Sequence, residues 1–126
     1  MPRSPSKPKS SVRRFAEGAG RRGEFWAELF LRAQFYRVLA RRVKTPVGEI
    51  DLIVSRSGVT VFVEVKARSF SHQEYEALMA VNRQRIVNAA QMWLMRRPEL
   101  AQGDLRFDVI FLAPFAWPRH IVNAFH

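Results

Sequence analysis

Two stretches of alternating residues, joined by a short turn, constrain the fold of this chain more than any other feature. The first is 48–54, whose side chains divide between two faces: Ile50, Leu52 and Val54 on one, and Glu49, Asp51 and Ile53 on the other. The second is 59–66, which places four valines on one face. A period of two residues is typical of strands, and the Arg56-Ser57-Gly58 sequence between them is typical of a tight turn. The pattern predicts a β-hairpin.

Periodicity also predicts the remaining elements. We expect a helix over 19–34, a strand over 35–43, a second helix over about 74–97 that ends at Pro98, and strands over 105–112 and 120–125. The first helix has apolar residues at helical spacing that we expect to be buried: Trp26, Ala27, Leu29, Phe30 and Ala33. The second has a longer apolar stripe: Leu78, Val81, Ile86, Ala89, Ala90, Trp93 and Leu94. The order α-β-β-β-α-β-β indicates an α/β fold, a mixed β-sheet flanked by helices.

The charge is unevenly distributed along the chain. Lys and Arg number 21 and Asp and Glu 11, a net charge of +10. Residues 1–45 hold 12 basic and 3 acidic residues, against 9 and 8 in 46–126. The first third therefore favours a polyanion such as nucleic acid as partner; alternatively, a basic tail only aids solubility. Residues 1–14, rich in Pro, Ser and basic residues, are expected to be a disordered basic tail before one domain over 15–126.

Composition excludes several classes of site. The chain has no cysteine, which rules out disulfides, thiolate zinc sites and thiol nucleophiles and is compatible with a cytoplasmic protein. The sequence contains no apolar run long enough for a membrane span. The histidines, His72, His120 and His126, lack zinc-site spacing and are expected on the surface or in loops. The aromatic residues near the first helix are mostly core candidates: Phe25, Trp26, Phe35 and Tyr36.

Three charged residues of the hairpin are candidates for chemistry. Glu64 and Lys66 are two residues apart and project from the same strand face. Folding the hairpin brings Asp51 within about two positions of the residue opposite Glu64. Two adjacent carboxylates repel unless a cation lies between them, and Lys66 supplies only part of that charge. All-oxygen ligands suit Mg²⁺ or Mn²⁺, so a divalent metal site is one interpretation and a plain Asp–Lys–Glu salt-bridge cluster is the other.

The chain contains four ordered motifs: Gly23-Glu24, Gly48-Glu49-Ile50-Asp51-Leu52-Ile53, Val61-Phe62-Val63-Glu64-Val65-Lys66-x-Arg68 and Arg106-Phe107-Asp108-Val109. Together they resemble the YraN-like family of predicted endonucleases, in the PD-(D/E)xK nuclease superfamily. The resemblance covers roughly residues 15–126. It implies a restriction-endonuclease-like three-layer fold and metal-dependent hydrolysis of DNA phosphodiester bonds, on branched or single-stranded forms. DNA is favoured over RNA, and by analogy with junction-cutting relatives a homodimer is one arrangement.

The resemblance also implies roles for individual residues. Asp51, Glu64 and the backbone carbonyl of Val65 would hold Mg²⁺ or Mn²⁺, and Lys66 would orient or help deprotonate the attacking water. Glu24 would complete the metal shell from the first helix; alternatively, it is a carboxylate favoured by the helix dipole.

Two further positions bear on this assignment. Glu49 shares the predicted face of Asp51 and either supports the site or only caps the hairpin. Asn82 departs from the family pattern, in which Lys or Gln is frequent, and this departure bears on substrate positioning more than on metal binding. The alternative function is a non-catalytic nucleic-acid-binding protein that retains the nuclease fold.

Overall fold

The computed structural model describes residues 23–66, 72–113 and 117–124, without the side chains of 72–81. Helix α1 occupies residues 23–33. The elements that follow are β1 (Arg37–Thr45), β2 (Gly48–Arg56), β3 (Val59–Lys66), α2 (His72–Leu94), a short α3 (Pro98–Ala101), β4 (Asp104–Phe111) and β5 (Arg119–Ile121). The predicted α/β order is confirmed, with α3 as an addition. The predicted tail over 1–14 lies outside the described residues.

The five strands form one mixed sheet in the order β1-β2-β3-β4-β5. Strands β1, β2 and β3 are antiparallel neighbours, and β4 and β5 are also antiparallel. β3 and β4 are parallel, with α2 in the connection between them. The β2–β3 turn has Ser57 and Gly58 at φ 54° and 81°, the left-handed backbone that a two-residue hairpin turn requires. This strand order is consistent with a restriction-endonuclease-like fold.

The core lies on both faces of the sheet. The predicted valine face of β3 packs in a cluster with Ala27 and Leu31 of α1, which confirms the hairpin's periodicity. Phe62, on the opposite face of β3, packs in a second cluster with buried residues of α2: Ala89, Ala90, Trp93 and Leu94. Those four belong to the predicted stripe of the second helix. The sheet is therefore covered by α1 on one side and by α2 on the other.

Helix α1 buries fewer residues than its spacing predicts. Ala27 and Leu31, one turn apart, are fully buried, whereas Trp26 and Leu29 are 59% and 41% exposed. Ala33 is also exposed. The prediction for these three residues is wrong because a helix lying on a sheet presents a narrow stripe, and apolar residues at several angles cannot all reach it.

Several predicted boundaries shift for identifiable reasons. Helix α1 ends in a turn where Tyr36 N–H donates to the Leu31 carbonyl, with Phe35 at φ 71°, so β1 begins two residues later than predicted. Phe35 is exposed rather than buried. Pro98 does not terminate the second helix but begins α3, since proline is favoured in the first helical turn. Within the described ranges, no helix combines the length and apolar character needed to cross a bilayer.

Candidate active site

The site lies where β2 and β3 separate. Their ladder ends at the pair Leu52 and Val63, and the next two positions in register are Asp51 and Glu64. Beyond the ladder, the Val65 N–H donates to Asp51 Oδ2 at 2.7 Å. A side-chain carboxylate thus replaces the carbonyl of a neighbouring strand as acceptor. Asp51 and Glu64 are the first residues at this opening of the sheet.

A local irregularity places Asp51 in that opening. Ile50 and Ile53 pack in the same core cluster, although residues three apart on a regular strand point to opposite faces. The predicted face that joins Ile50 to Leu52 and Val54 is therefore wrong at Ile50. On β1, Arg42 lies between the pairs Arg41–Leu52 and Val43–Ile50, opposite Asp51, and has φ 49°. The irregularity occurs at the same point on both strands.

Burial and nearby negative charge act together on Asp51. Burial raises its pKa, the charges of Glu64 and Glu24 raise it further, and the Val65 hydrogen bond only partly opposes them, for a result of about 7. The ordinary value for an aspartate is 3.8. The three carboxylates are therefore close enough to repel, as predicted for the pair Asp51 and Glu64.

Lys66 interacts with the second carboxylate. Its Nζ lies 2.9 Å from Glu64 Oε2, and the two side chains are 21% and 17% exposed. The spacing of two residues along β3 thus gives an ion pair at the edge of the opening. Val65, between them, contacts Asp51 through its N–H. A metal-ligating role for its carbonyl stays a prediction.

Glu24 approaches from α1 and is held by an arginine that the sequence did not single out. Arg42 Nε donates to Glu24 Oε1 at 2.7 Å. One turn along the helix, Glu28 accepts two hydrogen bonds from Arg41, and hydrogen bonding from Arg41 is the main cause that lowers the pKa of Glu28. Two consecutive arginines of β1 thereby reach one helix. The periodicity of β1 does not predict that both arginines contact α1, since a regular strand would direct them to opposite faces.

The α2 side of the opening is a cleft. It is lined by residues from β2, β3 and α2: Gly48, Glu49, Glu64, Asn82, Arg85 and Ile86. A Cβ at Gly48 would lie 2.6 Å from the Arg85 carbonyl oxygen, so only glycine allows β2 to approach the α2 backbone this closely. Glu49 and Glu64 share this cleft, and Asn82 lies in its wall.

The donors present fit a hard divalent cation. The described residues contain no group of three or more His, Asp or Glu side chains arranged to hold a metal ion. Mg²⁺, however, is usually bound through one or two carboxylates together with water and substrate phosphate. Asp51 and Glu64 are two adjacent carboxylates beside an open cleft. Whether they bind a metal stays a prediction.

A second polar cluster, which the sequence reading did not find, lies on β4 and β5. Asp108 is 1% exposed and accepts hydrogen bonds from Arg106 Nε and Nη2 and from the Asn123 N–H, at 2.8–2.9 Å. His120 Nε2 lies 2.7 Å from Asp108 Oδ2, with its side chain 10% exposed, so its expected surface or loop position is wrong. Arg106 also donates to the Tyr36 hydroxyl at 2.6 Å. Its buried aspartate gives the Arg106-Phe107-Asp108-Val109 motif a structural role.

Comparisons with known proteins identify the family. The sequence profile of the uncharacterised protein family UPF0102 matches residues 23–112. A UPF0102 protein of Rhodopseudomonas palustris (strain BisA53) is 43% identical over 122 residues, which cover 97% of this chain and 94% of that protein. One from Bradyrhizobium sp. (strain BTAi1) is 46% identical over 96% of this chain and 89% of its own length. A third, from Parvibaculum lavamentivorans, is 49% identical over 83% of this chain and 79% of its own length. The chain therefore belongs to the UPF0102 family, the group of YraN-like proteins that its motifs resemble.

Proposed function

We propose that this protein is a metal-dependent nuclease that hydrolyses phosphodiester bonds in DNA. The observation that carries the proposal is the position of Asp51 and Glu64, which follow the last paired residues of the β2–β3 ladder, with Lys66 2.9 Å from Glu64. Two carboxylates and a lysine where two strands of a sheet separate are the groups that metal-assisted phosphodiester hydrolysis uses. Family membership supports the proposal through the motifs that carry these residues.

Each residue of the site has a distinct task in the proposed reaction. Asp51 and Glu64 would hold Mg²⁺ or Mn²⁺, which when bound lowers the pKa of water and neutralises charge on the phosphate. Lys66 places a positive charge beside Glu64, where it can orient the attacking water and stabilise the negative charge that develops on the phosphate. The Val65 N–H holds the Asp51 carboxylate in the opening. Glu24, held by Arg42, adds negative charge from the α1 side.

The charge of the chain supports a nucleic acid as substrate. Residues 1–45 carry a net charge of +9, twelve basic against three acidic residues. Phosphate contacts by such a segment make binding strongly dependent on salt. Deletion of residues 1–14 removes Arg3, Lys7, Lys9, Arg13 and Arg14 and is expected to flatten the salt dependence of DNA binding. An unchanged slope would show that this segment does not contact phosphate.

Cleavage tests the function directly. We would incubate the full chain and Lys66→Ala with duplex, single-stranded, flapped and branched DNA, with Mg²⁺ or Mn²⁺. Loss of one positioned electrostatic or proton-transfer group is expected to reduce turnover by about 10²-fold or more, with little change in DNA affinity. Arg96→Ala is the matched control, because Arg96 is an exposed cation outside the basic segment 1–45.

The two functions considered for this fold give different results in that assay. Metal-dependent cleavage by wild type that is lost in Lys66→Ala and retained in Arg96→Ala supports the nuclease. Inactivity of wild type across all four substrates with either metal, together with retained binding, would contradict it and favour a non-catalytic nucleic-acid-binding protein.

A further inference from the structure

Helix α1 carries an exposed apolar surface beside the candidate active site. Phe25 and Trp26 are 58% and 59% exposed, and Leu29, one turn further along, is 41% exposed. We call these three residues the α1 aromatic face. The two rings meet edge to face, with centroids 5.5 Å apart. Large apolar side chains grouped in this way on a surface mark an interaction site more often than isolated ones do.

The position of this face relates it to the carboxylate cluster. Phe25 lines an open cleft together with Glu24, Glu28, Arg41, Arg42 and Leu52. Glu24 is the residue whose charge acts on Asp51. The α1 aromatic face therefore begins at the residue next to a carboxylate of the candidate site, on the side of the sheet opposite the cleft of Glu64 and Asn82.

The charges around the face favour an anionic ligand. Two arginines and two glutamates line the cleft beside Phe25, and one of them, Arg42, is 48% exposed and pairs with Glu24 through Nε. In the part of the chain that the structure describes, the Nη groups of Arg42 have no hydrogen-bond partner. They remain as donors for a phosphate. In the sequence, Arg21 and Arg22 stand directly before Gly23.

From these observations we propose that the α1 aromatic face binds single-stranded nucleic acid, by stacking unpaired bases on Trp26 and Phe25 while arginines contact the phosphates. Aromatic rings beside cations are the usual means of binding single strands. Bases within a duplex already stack on one another and offer no free face to an exposed ring. The inference rests on the proposed function and specifies its substrate class, DNA with an unpaired segment next to the cleavage point.

Binding without metal tests the inference independently of catalysis. We would measure the fluorescence anisotropy of a labelled oligothymidylate of about 15 nucleotides, within known single-strand site sizes, and of a blunt duplex, both in chelator. Trp26→Ala is expected to weaken single-strand binding by about 10-fold, with a change below about twofold for the duplex. Trp117→Ala is the matched control, since Trp117 is 89% exposed on another part of the chain. Trp26→Phe is expected to retain most of the affinity.

Equal single-strand affinity for Trp26→Ala and Trp117→Ala would overturn the proposal, as would an equal loss on single strand and duplex. A drop in sedimentation mass for Trp26→Ala without a change in single-strand affinity would show that the face joins two copies of the chain, which also overturns it. Failure of the nuclease proposal gives a different result: no cleavage in any metal, with the single-strand preference intact.

Discussion

Asp51 and Asp108 both lie within the sheet and are both withdrawn from solvent, but their neighbours are opposite in charge. Asp108 receives hydrogen bonds from Arg106 and from the Asn123 N–H and contacts His120. Burial alone would raise its pKa, yet these hydrogen bonds lower it. Asp51 accepts a hydrogen bond from the Val65 N–H but is buried and faces Glu64 and Glu24, so its pKa rises to about 7.

The difference separates a structural carboxylate from a candidate functional one. Around Asp108 the protein supplies the compensating charge, so the cluster attaches β5 and the segment after it to β4. Around Asp51 the protein leaves negative charge that a bound cation would neutralise. A carboxyl with a strongly perturbed pKa beside a cleft is typical of functional sites, because nothing in folding alone favours that arrangement.

The largest expected effect is a loss of stability when the Asp108 carboxylate is removed. Asp108→Ala leaves Arg106 and His120 without their shared acceptor, so we expect a loss of about 3–5 kcal/mol in the free energy of unfolding. Asp104→Ala, at the exposed start of the same strand, is the control and is expected to change stability by less than about 0.5 kcal/mol. Guanidinium unfolding measures both. A loss below about 1 kcal/mol for Asp108→Ala would show that Asp108 does not stabilise the fold, and its contrast with Asp51 would disappear.

The next largest loss of stability is expected at Gly48, which lines the cleft of Glu49 and Glu64. Gly48→Ala places a methyl group 2.6 Å from the Arg85 carbonyl oxygen, so β2 or α2 must shift. We expect a loss of about 1–3 kcal/mol, measured by thermal unfolding. Gly103→Ala is the matched control, because its Cβ would meet nothing closer than 3.6 Å. Similar melting temperatures for the two variants would show that the approach of α2 to β2 is not tight.

A smaller effect, in pH dependence, contrasts the two aspartates directly. The pKa of Asp51 is higher in the folded protein, about 7, than its ordinary 3.8, so the folded state holds the proton more tightly. Without metal, this group stabilises the fold at low pH and loses that contribution as pH rises from about 4 to 7. Asp51→Asn is therefore expected to be more stable than wild type at pH 8, by at least about 1 kcal/mol.

The lowered pKa of Asp108 has the opposite sign, since its contribution is present at neutral pH and is lost as pH falls. Unfolding followed from about pH 2 to pH 8 in chelator separates the two groups, because the Asp108 contribution is lost below about pH 4 and the Asp51 contribution above it. If the free energies of unfolding of wild type and Asp51→Asn change with pH in parallel, then the neighbouring carboxylates do not raise the pKa of Asp51.

Much of the Asp51 region could be predicted from sequence, whereas the Asp108 cluster could not. The turn and the period of two residues determine the hairpin register, and the register brings Asp51 opposite Glu64. The donors to Asp108 depend instead on β4, β5 and their pairing, and Arg106 also joins Tyr36, 70 residues away in sequence. Spacing within one segment contains no information about such distant partners.

Two details of the site also escape prediction for physical reasons. The irregularity at Arg42 and Asp51 involves two paired strands, so neither strand's alternation reveals it. The exposure of Trp26 depends on which angular sector of α1 meets the sheet, and Ala27 rather than the larger ring occupies it. Hydrophobicity alone favours the opposite arrangement.

Calorimetric titration with Mn²⁺ tests the central claim most directly, because it needs no knowledge of the substrate. Wild type is expected to bind Mn²⁺ through Asp51 and Glu64, with affinity falling at least about 10-fold in both Asp51→Asn and Glu64→Gln, since each removes a charged oxygen ligand. Glu99→Gln, an exposed carboxylate of α3, is expected to bind as wild type does. Equal Mn²⁺ affinity in all four proteins would contradict the account and leave Asp51, Glu64 and Lys66 as a salt-bridge cluster.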